Sequence, residues 1–251
     1  MEIRKQKEIE YYDNQHDKGD GDFEGFDPII LKSHRFLRDF LKDKCQNKRI
    51  LDYGCGNGIH SVWLAMYGGE VIGIDLSKKS LDVAKQRIKK YGLENIIELI
   101  LMDCEKMNFP DNYFDIIFDG GTFSSIDLNK ALPELQRVLK PDGFLIGIET
   151  FGHNPITNLK RRFNKLTGRR TEWAVEHILK TKDVKEIQKY FQKIDLYFFH
   201  FTSWIVFPFL KLPAGKIILK IFEKIDSFLL FVFPFFKKYS FKVVFYAKKN
   251  I

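Results

Sequence analysis

Cysteine is scarce in this sequence. The 251 residues contain three cysteines, Cys45, Cys55 and Cys104, and neither their odd number nor their spacing fits a disulfide framework or a zinc site. No other cluster of histidine and acidic residues has the spacing of metal ligands. We therefore expect a reduced, cytoplasmic protein that binds no metal.

Long apolar runs are also lacking. The longest one without charge, Leu196–Leu210, contains His200 and Pro208 and is shorter than the roughly 18 residues that span a bilayer. The N-terminal sequence MEIRKQKEIEYYDNQ is polar and has no apolar core typical of a signal peptide. We expect any membrane contact to be peripheral.

Acidic residues are few in one part of the chain. The net charge is +8, yet residues 151–251 hold 20 lysines and arginines against 7 acidic residues, whereas residues 1–150 hold 21 against 26. This split suggests that the C-terminal part meets an anionic partner, although a solvated basic face without a partner fits equally well.

Short apolar runs alternate with helical segments from Arg49 onward. Helices are predicted at about 58–68, 78–91, 129–140, 183–192 and 216–231. This alternation predicts a doubly wound, mostly parallel α/β sheet, and the absence of a crossover helix just before the last strand predicts that this strand is antiparallel. The predicted strands are Arg49–Tyr53, Val71–Asp75, Ile97–Met102, Phe114–Asp119, Phe144–Glu149, Leu196–Thr202 and Val243–Lys248.

We expect one domain over residues 1–251. Residues 1–44 are predicted to form a helical lid, with a helix to about Asp13, a Gly/Asp-rich loop at Asp17–Pro28 and a second helix at 29–44. Residues 45–150 form the predicted core. Two helical insertions, 153–182 and 204–239, are expected after the fifth and sixth strands because neither fits the alternation.

The strongest functional signal is ILDYGCGNGIHS, Ile50–Ser61. A strand ends there, glycines follow at every second position, and a helix begins. Such a turn lets a ligand approach the backbone and places it at the positive end of a helix dipole. Neither a G-x-G-x-x-G motif nor a lysine-ended phosphate loop matches.

Acidic residues close the next strands. Asp75 ends VIGID, Asp103 ends LILMD and Asp119 ends FDIIFD. Polar residues at these strand ends meet at the edge where open α/β sheets bind ligands. Asp75 can accept hydrogen bonds from both ribose hydroxyls, and Asp103 can accept from an exocyclic amine.

Over residues 45–150 these ordered motifs resemble the class I S-adenosylmethionine (AdoMet) dependent methyltransferases of the type-11 kind. The resemblance implies a seven-stranded Rossmann-like sheet with an antiparallel last strand, and AdoMet as the cofactor. It implies that Asp52 holds the methionine amino group directly or through water, that Asp75 binds ribose and that Asp103 binds adenine. The cofactor-binding residues it implies are Asp52, Gly54, Cys55, Gly56, Gly58, Asp75, Leu76, Asp103, Cys104, Asp119 and Gly120.

The acceptor region must be inferred from chemistry. IETFGHNP leaves the ligand edge of the fifth strand, so His153 is the leading candidate for a general base, with His177 and Glu149 as further catalytic candidates. A histidine with only a structural role fits the same pattern. The predicted substrate-binding residues are Tyr11, Tyr12, Asn154, Arg169 and Arg170, since clustered arginines suit phosphate or carboxylate.

The predicted reaction is O-methylation of a small anionic, glycosylated or lipid-linked acceptor. The pattern GHNP…RRT…EH resembles methyltransferases of bacterial glycan and natural-product pathways, but this resemblance does not identify the acceptor. An RNA or protein methyltransferase and a non-catalytic AdoMet-binding subunit are the alternatives. The Asn/Asp-Pro-Pro-Tyr signature of amino-group methylation is absent, and nucleic acid is the less favoured partner because no RNA module is recognisable. The sequence fits a monomer or a homodimer.

Residues 204–239 are rich in phenylalanine. In 216–230 the apolar positions form one helical stripe and Lys216, Lys220 and Lys224 lie off it. A cap packed on the domain, a dimer interface and a basic amphipathic surface on a membrane all fit this pattern.

Overall fold

The computed structural model describes residues 2–17 and 30–249. The predicted loop Asp17–Pro28 therefore lies outside the described residues, apart from Asp17 at the end of the first helix.

The described part of the chain contains one sheet of seven strands. They are β1 (Arg49–Tyr53), β2 (Glu70–Asp75), β3 (Ile97–Leu101), β4 (Phe114–Asp119), β5 (Leu139–Thr150), β6 (Phe191–Phe199) and β7 (Lys242–Lys249). Their order is β3-β2-β1-β4-β5-β7-β6. Strands β1 to β5 are parallel, and β7 runs antiparallel to both β5 and β6. The predicted doubly wound α/β sheet with an antiparallel last strand is confirmed.

Helices cover both faces of the sheet. They are α1 (Ile3–Asp17), α2 (Lys32–Lys42), α3 (Ile59–Met66), α4 (Lys78–Lys90), α5 (Leu128–Val138), α6 (Pro155–Leu166), α7 (Glu172–Glu176), α8 (Thr181–Ile187) and α9 (Gly215–Val232). Short 3₁₀ helices occur at Phe123–Ser125, Ser203–Phe209 and Pro234–Tyr239.

The core has two layers because the sheet is buried on both sides. Leu37 and Leu64 belong to the cluster on the α2–α4 side, and Leu132 and Ile187 to the cluster on the α5–α8 side. Strands enclosed in this way read as continuous apolar runs, which is why their sequence signal is strong.

Strand β6 differs most from its predicted position. It begins at Phe191 instead of Leu196, and the helix predicted at 183–192 ends at Ile187. The first half of β6 contains the polar residues Gln192, Lys193 and Asp195. Because they interrupt the apolar pattern, the sequence does not predict this half as a strand. These side chains are tolerated because β6 is an edge strand that pairs only with β7.

Helix α9 does not pack on the domain through its apolar stripe. Its buried side chains are Leu219, Glu223, Asp226 and Leu230, whereas much of the predicted apolar stripe is exposed. The 204–239 insertion is therefore attached to the domain through two acidic residues and two leucines of α9. No helix in the described residues is long and apolar enough to cross a membrane.

Candidate functional site

A cleft of about 380 Å³ opens at the carboxyl edge of the sheet, between the strand ends and α1. Cys55, Leu76, Cys104 and Gly120 line it, as the sequence predicted. The parallel strands β1 to β4 end at this edge, so their terminal residues converge there.

The glycine turn after β1 forms one wall. Gly56 has a φ of 52°, and a Cβ there would meet no atom within 4 Å, so its backbone faces open space. Gly58 has a φ of 73°, and a Cβ there would lie 2.9 Å from Cβ of Ala84 on α4. Gly54 would meet Thr122 in the same way. Gly54 and Gly58 therefore allow close packing, while Gly56 leaves room for a ligand.

Asp75 is held in place by the backbone. Its Oδ2 accepts a hydrogen bond from the Gly56 N–H (2.9 Å), and its Oδ1 accepts from the Ser77 N–H (2.8 Å). Burial raises its pKa, although these N–H donors oppose that shift. The carboxylate lines the cleft with lone pairs left for further donors, as a ribose-binding acid requires.

Asp52 lies beneath the glycine turn and is fully buried. The Ser61 hydroxyl donates to its Oδ2 (2.5 Å), while its Oδ1 has no hydrogen-bond partner in the described residues. Burial raises the pKa of Asp52 to about 7, against the effect of the Ser61 hydroxyl. A buried carboxylate oxygen without a donor is costly, so a cationic ligand group nearby would stabilise it.

The N-terminal helix α1 forms the opposite wall of the cleft, in the segment for which the sequence predicts a lid. Lys5 Nζ lies 2.6 Å from Asp103 Oδ2 and 2.8 Å from Glu105 Oε2. Arg4 pairs with Glu105 as well, at 2.5 Å. Two cations of α1 are thus joined to the loop after β3.

Tyr11 and Tyr12 line the cleft from the same helix. The Tyr11 hydroxyl donates to the carbonyl of Arg169 (2.9 Å), and the Arg170 guanidinium donates to the Tyr12 hydroxyl (3.3 Å) and to the Ser124 hydroxyl (3.1 Å). The two arginines do not line the cleft; they support the lid from outside, and the side chain of Arg169 is exposed.

Asp119 and Glu149 are buried together behind the cleft. Thr122 N–H donates to Asp119 Oδ1 (2.9 Å), and Phe123 N–H donates to Glu149 Oε1 (2.7 Å). Burial and the neighbouring Glu149 raise the pKa of Asp119 well above its usual value. Because Glu149 anchors the 3₁₀ turn at Phe123–Ser125 and lies outside the cleft lining, the structure gives it a positioning role instead of the predicted catalytic one.

The predicted catalytic histidines do not reach the cleft. His153 Nε2 accepts from the Thr181 N–H at 3.0 Å, and the ring packs on Phe151. His177 is exposed and stacks on Trp173 with ring centroids 3.6 Å apart. Asn154 caps α6 by accepting from the Ile156 and Thr157 N–H groups, and it lies outside the cleft lining. Helix α6 leads the chain away from the cleft, and Arg169 and Arg170 then return to contact α1.

His60 is a cleft residue that sequence reasoning missed. It lies in the first turn of α3, and its Nδ1 would be 2.5 Å from a Cβ at Gly120. Burial lowers its pKa to about 4, with further effects from Lys242 and Arg87, so the ring is neutral at pH 7. The sequence does contain a signal for His60, because it lies two residues after Gly58 at the helix end that is predicted to face the ligand.

Lys242 was missed as well. It begins β7, which is antiparallel, and it pairs with Thr150 at the end of β5, so it lies at the ligand edge. Burial lowers its pKa, and its charge acts on Glu149 and Asp119. The ammonium forms no ion pair within 4.0 Å among the described residues.

The order of the strands and the antiparallel last strand are those of the class I AdoMet-dependent methyltransferase fold. The cradle at Gly56, the open lone pairs of Asp75 and the unpartnered oxygen of Asp52 fit AdoMet as the cofactor. In residues 2–17 and 30–249, no group of three or more histidine, cysteine or acidic side chains is arranged to hold a metal ion.

Comparisons with known proteins agree with this assignment. The family model described as "Methyltransferase domain" matches residues 51–147. The ubiquinone/menaquinone biosynthesis C-methyltransferase UbiE of Coxiella burnetii (strain Dugway 5J108-111) is 34% identical over an alignment of 130 residues. The alignment covers 49% of this chain and 52% of that protein. Sterol 4-C-methyltransferase strm-1 of Caenorhabditis elegans is 30% identical over 102 residues, covering 40% of this chain and 30% of that protein.

The fold resembles a solved structure over most of the length of this chain. The structure of Haemonchus contortus phosphoethanolamine N-methyltransferase 2, in complex with phosphomonomethylethanolamine and S-adenosylhomocysteine, superposes with a TM-score of 0.61. It is 21% identical, and the match covers 87% of this chain and 53% of that one. The chain spans about half or less of the length of the curated relatives it matches.

Proposed function

We propose that this protein is an enzyme that transfers the methyl group of AdoMet to a small amphiphilic acceptor, one with an apolar body and an anionic group. The observation that carries the proposal is the cleft itself, which combines Asp75 and Asp103 with an apolar lining. Lys242 begins β7 at the same edge of the sheet and has no ion pair among the residues that the structure describes. RNA or protein methylation and a non-catalytic role are the alternatives to exclude.

The cofactor half of the cleft is the side of Asp75 and Asp103. Bound AdoMet supplies a methyl group on a sulfonium, which is open to attack by a nucleophile. Asp75 would hold the ribose hydroxyls and Asp103 the adenine amine, while Asp52 would hold the amino group directly or through water. Correct placement of the two reactants provides a large part of the rate in such a transfer.

The acceptor half is the side of His60. Ile9, Ile59 and Ile126 contribute apolar lining to the cleft, which suits an apolar acceptor body. His60 is neutral at pH 7, so its ring can accept a hydrogen bond from the acceptor. Lys242 is a cation at the same edge of the sheet and has no ion pair among the residues that the structure describes, which favours an anionic group on the acceptor.

Carbon is the proposed site of methylation. The sequence alone favoured oxygen, but the two relatives reported above are named as C-methyltransferases acting in quinone biosynthesis and on a sterol. Both names also point to apolar, lipid-like acceptors, in agreement with the isoleucines of the cleft.

The test is transfer of labelled methyl from AdoMet into a bacterial cell extract, followed by separation into lipid, water-soluble small-molecule, RNA and protein fractions. We expect label in the lipid fraction, and much less label when Asp75→Ala replaces the native protein at an AdoMet concentration near the native dissociation constant. Label in RNA or protein would contradict the proposal. Absence of label from every fraction would favour the non-catalytic subunit.

A further inference from the structure

Helix α9 is attached to the rest of the protein through polar contacts. The Asp226 carboxylate accepts hydrogen bonds from N and Oγ1 of Thr202 (2.7 Å each) and from the Ser203 N–H (3.1 Å). Glu223 accepts from the Lys32 N–H (2.6 Å) and from Arg35 (2.5 Å). Glu223 and Asp226 are the only acidic residues of α9, and both are buried.

The outward face of α9 is apolar. Ile217, Ile221, Phe228 and Phe231 recur at helical spacing and are 64%, 52%, 64% and 84% exposed. Side chains of this size are rarely left in water as a group unless they contact a partner. Exposed lysines at every fourth position, Lys216, Lys220 and Lys224, run along one edge of this face.

Helix α6 repeats the arrangement. Ile156, Leu159, Phe163 and Leu166 lie on one side of this helix and are all at least 58% exposed. No acidic residue occurs between Asn154 and Leu166. The 153–182 insertion thus carries an exposed apolar stripe of its own.

Each of the two helices is linked to the 3₁₀ helix Pro234–Tyr239. The Asn154 side chain, at the start of α6, donates to the Tyr239 carbonyl (2.9 Å). Helix α9 leads into the same 3₁₀ helix, whose neighbouring rings Phe233 and Phe235 are exposed. We call the exposed side chains of α6, α9 and Pro234–Tyr239 the apolar-basic face.

We propose that the apolar-basic face docks on the surface of an anionic lipid bilayer. Isoleucine and phenylalanine side chains would enter the boundary between headgroups and acyl chains, while the lysines would contact the lipid phosphates. The proposal does not rest on the proposed function, because lipid binding can be measured without a cofactor. If both hold, the acceptor is taken from the bilayer.

Charge favours a bilayer over a second copy of the chain. In a two-fold dimer this face would meet the same face of the partner, and each row of lysines would find no carboxylate opposite it. Glu223 and Asp226 cannot supply one because both are engaged on the buried side of α9. An anionic bilayer supplies the opposite charge over the whole face.

The experiment is co-sedimentation of the full chain with phosphatidylcholine vesicles that contain about one third phosphatidylglycerol. We expect binding that weakens in about 0.5 M salt, since salt screens the lysines. The triple variant Lys216→Gln/Lys220→Gln/Lys224→Gln should bind about 100-fold more weakly, because each lysine near an anionic surface contributes about fivefold. Ile221→Gln/Phe228→Gln/Phe231→Gln should bind at least as weakly.

Matched controls use exposed residues elsewhere. Lys85→Gln/Lys89→Gln/Lys90→Gln on α4 removes the same charge, and Met66→Gln/Tyr91→Gln/Leu101→Gln removes exposed apolar groups. Both controls should bind vesicles like the native chain. Equal losses in controls and test variants would overturn the proposal. The proposal would also be overturned if the chain did not bind vesicles but formed dimers, or bound single-stranded RNA, through the apolar-basic face.

Discussion

Lys5 Nζ lies 2.6 Å from Asp103 Oδ2, so the lid helix α1 is ion-paired with the acid that we expect to bind adenine. The lid and the cofactor therefore share one carboxylate. Lys5 also reaches Glu105, which fixes the first turns of α1 against the loop after β3.

The first prediction concerns this ion pair. Lys5→Ala should raise the dissociation rate of AdoMet about 3- to 10-fold, because α1 loses its partly buried attachment to Asp103. Stopped-flow fluorescence can measure the rate. Lys7→Ala, an exposed lysine of the same helix, should leave it unchanged. A Lys5→Ala rate equal to the native one would mean that α1 is not held by this pair.

The second prediction concerns the proposed ribose ligand. Asp75→Ala should weaken AdoMet binding by about 10- to 100-fold, the effect of losing hydrogen bonds to a charged acceptor. Calorimetry measures the affinity, and circular dichroism checks the fold. Asp142→Ala, an exposed residue near the start of β5, is the control. Native affinity in Asp75→Ala would refute the ribose assignment.

The third prediction uses the pKa of Asp52, which burial raises from 3.8 to about 7. Between these values the folded protein holds more protons than the unfolded chain, so the free energy of unfolding decreases as the pH rises. Asp52→Asn should remove part of this decrease, on the order of a few kcal/mol at most. Urea unfolding of native and variant protein without cofactor, at about pH 5 to 8, gives the two slopes. Parallel slopes would show that Asp52 does not titrate in this range.

The fourth prediction separates two histidines. His60→Ala should lower kcat/KM for the acceptor about 10-fold or more, because the ring lines the cleft beside Gly120. His153→Ala should change kcat less than about twofold, because that ring is bonded to Thr181 outside the cleft. Methyl incorporation into the lipid extract is the measurement. If His153→Ala alone lowered kcat about 100-fold, this result would support His153 as the general base, as the sequence predicts.

The fifth prediction concerns Lys242. Lys242→Gln should raise the acceptor KM about 10-fold and leave AdoMet affinity near native, because the lost cation lies on the acceptor side. Lys248→Gln, an exposed lysine of the same strand, is the control. If AdoMet affinity falls in Lys242→Gln while the acceptor KM stays constant, Lys242 serves the cofactor half instead.

The sequence by itself determined the sheet and the cofactor half of the site. Strands β1 and β4 have their predicted bounds, and Asp75 and Asp103 line the cleft as expected. Local patterns suffice here because doubly buried strands are apolar without interruption, and the last residue of each parallel strand must reach the ligand edge.

Only the tertiary structure decided which residues after the fifth strand lie at the ligand edge of the sheet and which face of α9 is exposed. His153 follows a strand end, yet the helix cap at Asn154 turns the chain away, whereas Lys242, about 90 residues later, returns to that edge because β7 is antiparallel. The stripe of α9 looked like a packing face, but hydrogen bonds to Thr202 and Lys32 bury Glu223 and Asp226 instead. Periodicity identifies the faces of a helix, and only the contacts made across the fold determine which face is buried.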